Sequence, residues 1–114
     1  MSERVAFISD IHANAVGLRG VIEDLHRQEV ERVVCLGDAV QGGSQPAEVA
    51  QILQELGCPV VMGNADHFIL TGESAEPASP TGLEVREWTR EQLGAAGLAY
   101  VESFQPTVEV EIDG

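Results

Sequence analysis

The sequence predicts an α/β domain with a β-α-β-α-β parallel core. Three apolar runs, residues 5–9, 32–36 and 59–62, carry little charge, as strands buried on both faces do. Between them lie two segments with apolar residues at i, i+3, i+4, i+7: Leu18, Val21, Ile22 and Leu25, then Val49, Ile52, Leu53 and Leu56. Each crossover is long enough for a right-handed parallel unit. With 114 residues, the chain (1–114) reads as one domain with room for a real core.

In chain order, the first run leads into Ser9-Asp10-Ile11-His12-Ala13-Asn14, and Asn14 is a suitable N-cap for the first helix. The second run ends in Gly37-Asp38, followed by a loop through Gly42-Gly43 to Pro46, a proline suited to the first helical position. Gly57 stops that helix. The third run ends in Gly63-Asn64-Ala65-Asp66-His67, and residues 68–70 begin a short helix. Residues 72–82 are rich in turn formers. Thr81-x-x-Glu84 is read as a capping box opening a third helix to about Leu93, with Trp88 packing it onto the sheet and residues 98–104 forming a further short helix. The alternation of residues 107–112, ahead of Asp113-Gly114, predicts a half-exposed strand entering a hairpin turn, and so a continuation beyond it.

Charge narrows the partners. Nineteen acids against six bases give a net charge of -13, so neither nucleic acid nor an anionic membrane is an expected partner. A phosphorylated substrate would need bound cations to reverse the sign locally. All six bases are arginine; the absence of lysine removes P-loop and Schiff-base chemistry. No G-x-G-x-x-G opens either helix, which disfavours a generic nucleotide-binding domain. Without a leader or an apolar run long enough to span a membrane, a cytoplasmic location is expected, with Cys35 and Cys58 as reduced thiols in or beside apolar runs.

The chemistry gathers where the runs stop. Asp10 and His12, Asp38, and Asn64 each follow an apolar run at its carboxyl end, the edge where open α/β sheets bind ligands. Neighbouring strands lie about 4.8 Å apart, so side chains from three strand ends can converge. Two carboxylates, an imidazole and an amide form an oxygen-rich set suited to Mn²⁺, Fe²⁺, Zn²⁺ or Mg²⁺. Singly, each motif is an ordinary turn; their recurrence at equivalent positions is the signal.

Asp10-x-His12, Gly37-Asp38 and Gly63-Asn64, set along β-α-β-α-β, resemble the calcineurin-like metallophosphoesterases over essentially the whole chain. The resemblance implies the parallel core of a metallophosphoesterase-type sandwich, incomplete at its C-terminal end. It implies a hydrolase with a dinuclear centre of two divalent ions (Mn, Fe, Zn, Ni or Mg) acting on a phosphomonoester or phosphodiester. Asp10 and His12 would hold one ion, Asp38 would bridge both, and Asn64 would hold the second, making Asp38 and Asn64 the catalytic pair. Asn64, Gly42 and His67 are the candidate substrate contacts. Two departures bear on activity. Ala65 stands where many members carry a histidine, and no histidine follows His67 to complete the metal shell. The expectation is therefore a phosphoesterase that is weak or inactive in this short form; the alternative is a non-catalytic protein-interaction scaffold of the same fold. An incomplete sandwich face would also favour a homo-oligomer.

Overall fold

The computed structural model describes residues 3–112. Strand β1 (Val5–Ile8) is followed by helix α1 (Ala15–Arg27), strand β2 (Arg32–Cys35), helix α2 (Pro46–Leu56), helix α3 (Asn64–Thr71) and helix α4 (Pro80–Glu102). β1 and β2 pair in parallel, Val5 opposite Arg32 through Ile8 opposite Cys35. The third strand is reduced to parallel bridges, Cys35 with Val60 and Val61 with Gln105. The predicted β-α-β-α-β order is therefore present, with its last strand cut to its pairing residues.

Local chemistry explains the helix ends. Asn14 caps α1, its Oδ1 accepting from Gly17 N at 2.9 Å. Pro46 opens α2, and Gly57 closes it at φ 69°, a left-handed conformation that glycine adopts without penalty. The carbonyls that end α3 are met by two guanidinium groups from α4. Arg86 Nε donates to Phe68 O at 2.9 Å, and Arg90 donates to Ile69 O at 2.8 Å. Cations at a helix C-terminus also oppose its negative dipole end.

Leu53, Ile69, Val40, Val49 and Val101 are fully buried, and α4 packs across α2 and α3 to close this core. Cys35 lies in it outside any disulfide, its thiol pushed up to about 11 by burial; Cys58 is half-buried and also free. No helix among the described residues is long and apolar enough to cross a membrane.

Four expectations fail. β1 is not buried on both faces: it is the edge of the sheet, and Phe7 is exposed. Residues 107–112 form no strand, because alternation specifies two faces but supplies no neighbour to bond with; Asp113 and Gly114 lie outside the described residues. The third helix begins earlier than expected: its cap is Ser79, whose Oγ accepts from Gly82 N at 3.0 Å, while Gly94, non-helical at φ 66°, separates it from a second helical segment as the sequence predicts. Trp88 is exposed, since the packing face of α4 is set by Thr89, Leu93 and Val101. Leu53→Ala should therefore destabilise the protein by about 2–5 kcal/mol, as truncation in a closed core does, and Trp88→Ala by less than about 1 kcal/mol. Urea unfolding of the two variants checks the contrast.

Candidate metal centre

The loop after β1 and the loop after β2 are zipped by main-chain hydrogen bonds that continue the ladder past the strands. Asp10 N donates to Gly37 O at 3.2 Å, His12 N to Asp38 O at 3.0 Å and Ala13 N to Ala39 O at 2.8 Å. The zipper sets Asp10 and His12 alongside Asp38. One donor atom from each of the three side chains lies within 4.8 Å of the others.

This alignment strains the backbone. Asp10, His12, Ala13 and Asp38 hold φ of 57°, 46°, 59° and 55°, left-handed values unusual outside glycine. For Ala13 this costs about 1–2 kcal/mol, and Asp and His adopt it at a lower cost. Positive φ gathered at three clustered donors singles this corner out as a candidate site. Glycine makes the close approach feasible. A Cβ on Gly63 would sit 2.3 Å from Asp38 Oδ1, and one on Gly43 would sit 2.1 Å from His12 O.

Each donor is held by a second contact. His12 Nδ1 lies 2.7 Å from Gln41 O, which fixes a proton on Nδ1 and leaves Nε2 as the free nitrogen. Nε2 faces Asp10 Oδ1 at 3.2 Å, and Ser9 Oγ donates to Asp10 Oδ2 at 2.7 Å. Asp38 Oδ1 accepts from Ala65 N at 3.0 Å. The Gln41 carbonyl raises the His12 pKa above its ordinary value against a smaller opposing effect of burial, and Asp10 and Asp38 add to the rise. The Ser9 hydroxyl, then His12, hold Asp10 below the usual carboxylate range. Two acceptors at 3.2 Å share a proton or a cation, so this donor set suits a divalent ion.

Asn64 is the first residue of α3, exposed, between Gly63 and Ala65, which both touch Asp38. Gly42, at φ 100°, lies against the His12 ring. His67 is exposed in the first turn of α3, its Nε2 3.2 Å from Glu73 Oε2. Sequence reasoning gave no role to Asp66, the group that assembles the centre. It is fully buried. Its Oδ2 accepts from Asp38 N at 2.8 Å and Gly63 N at 3.1 Å; its Oδ1 accepts from Ala39 N at 2.9 Å and Val40 N at 3.4 Å. Burial pushes its carboxyl above the usual range while the four N–H groups pull it back. The readable signal was an acid three residues past Gly63, the N3 position that reaches back to a helix N-cap.

Parallel strands that bring two carboxylates and an imidazole to one point at their carboxyl ends define a metal-binding α/β protein. The chain belongs to the calcineurin-like phosphoesterases: the family model matches residues 3–110. It is 32% identical over 110 residues to an uncharacterised protein of Methanocaldococcus jannaschii, covering 96% of this chain and 45% of that one. It is also similar to the crystal structure of a metallophosphoesterase from Sphaerobacter thermophilus, with a TM-score of 0.73 and 34% identity over 91% of this chain and 42% of that one. The chain thus spans less than half the length of these relatives.

Asp66→Ala strands four main-chain N–H groups and should cost on the order of 3–5 kcal/mol, read from chemical denaturation. In the metal-free protein the His12 ring should titrate above 6.5 by NMR, and Asp10→Asn should lower that midpoint without abolishing the rise. The sign follows from linkage: the proton's contribution to stability is present below the unfolded value and lost as pH climbs through the raised one. A metal needs the unprotonated nitrogen, so its affinity should fall as pH drops through the same midpoint.

Proposed function

We propose that this chain is the metal-binding part of a phosphoesterase that hydrolyses a small phosphomonoester or phosphodiester with two divalent cations. The observation that supports the reading is the convergence of Asp10, His12 and Asp38 on strained backbone at the sheet's carboxyl edge. Asp10 and His12 would hold one cation, Asp38 would bridge to the second, and Asn64 would complete that second set. Bound there, the cations supply Lewis acidity toward a phosphoryl group and toward water. The chain's own residues do the positioning. Gln41 fixes the imidazole tautomer, Ala65 N anchors one carboxylate oxygen of Asp38 and leaves the other free, and Asp66 holds the loop that carries Asp38.

The alternative, a protein-interaction scaffold, is favoured by Ala65 and by exposed apolar groups such as Phe7 on the edge strand, which would also serve self-association. Calorimetry with Mn²⁺ separates the two. The phosphoesterase reading expects binding that Asp38→Ala weakens on the order of 100-fold, with hydrolysis of bis-p-nitrophenyl phosphate lost in parallel. A chain that binds no Mn²⁺ yet elutes as a stable dimer, unaffected by Asp38→Ala, would support the scaffold.

A further inference from the structure

A groove of about 570 Å³ opens beside the metal centre, a size suited to a small molecule. It is continuous with the centre through two residues. Ala65 lines the groove and donates its N–H to Asp38, and Gln41 lines it and accepts from His12. Beyond them the lining is largely apolar, with Phe68, Ala75 and Ala78. Among the described residues its only ionisable groups are His67 and Glu73, paired with each other at 3.2 Å.

The wall formed by residues 73–78 is anchored. Gly72 N donates to Phe68 O at 2.8 Å, and Glu73 N donates to Thr71 Oγ1, which itself donates to His67 O. At its far end Ser79 caps α4. Where the groove meets the centre, the side chain at position 65 is a single methyl.

We infer that the groove receives a planar ring on the leaving group of the phosphoester, the flat apolar faces of the ring lying against the surface that Phe68 and the two alanines contribute. The His67–Glu73 pair offers the ring's edge a hydrogen-bonding partner. The chain is thus selective for aryl or heteroaromatic phosphoesters over alkyl ones. The inference rests on the phosphoesterase reading above, because the phosphoryl end must sit at the metal centre.

The test uses two probes with the Mg²⁺-loaded full chain: phenyl phosphate, which reaches the groove, and methyl phosphate, which does not. Calorimetry should show phenyl phosphate binding about tenfold more tightly, the worth of a partly buried ring. Ala75→Trp, on an exposed loop, should bring the ratio to unity. In the unaltered chain, NMR should show phenyl phosphate shifting the Ala78 methyl and Phe68 ring signals and methyl phosphate leaving them in place. Equal binding of the two phosphates, both requiring Mg²⁺, would overturn the groove and leave the metal centre standing. Failure of both phosphates to bind, with or without Mg²⁺, would overturn both.

Discussion

One buried carboxylate holds the candidate site together. Asp66 reaches from the first turn of α3 into the loop after β2 and accepts from four main-chain N–H groups, including those of Asp38 and Gly63. A main chain turning sharply at a strand end cannot satisfy its own donors, and a buried donor without a partner is costly. The single side chain resolves that conflict for both strand-end loops at once. Asp38 then has no freedom to drift, and the zipper from Asp10, His12 and Ala13 to residues 37–39 carries the constraint to the first loop. The centre is thus positioned by main-chain bonding, and its donors arrive prearranged.

That arrangement also distributes roles among residues that look alike in sequence. Asp10, Asp38 and Asp66 all follow strands. Asp10 is exposed, Asp38 is half-buried and Asp66 is wholly enclosed. Exposure and partners make the first two available to a cation and reserve the third for the backbone. The clustered negative charge is tolerable because the donors remain open to solvent or to a cation, while the enclosed acid is matched by dipoles on several sides.

Much of this was readable beforehand. The strand-end positions of Asp10, His12, Asp38 and Asn64 follow from period and punctuation, and Asn14, Pro46 and Gly57 mark helix limits through chemistry local to each position. What escaped is what depends on a distant partner. Asp66 was given no role because its four donors come from loops around residues 38 and 63. Trp88 looked like a core anchor because size was read without knowing which face of α4 meets α2. Residues 107–112 carry the alternation of a strand and lack a strand's neighbours. Even the exposure of Phe7 is a matter of company: an apolar strand is buried only when something lies on each side of it.

The left-handed turns at Asp10, His12 and Asp38 set backbone preference against the gathering of metal-ligating side chains. Glycine at any of these positions would relax the chain and remove a donor from the candidate centre in one step. Random drift therefore has a downhill route to a sturdier relative without these donors. A lineage that keeps these side chains does so against its own conformational preference, and a designer seeking thermal robustness should leave this corner alone.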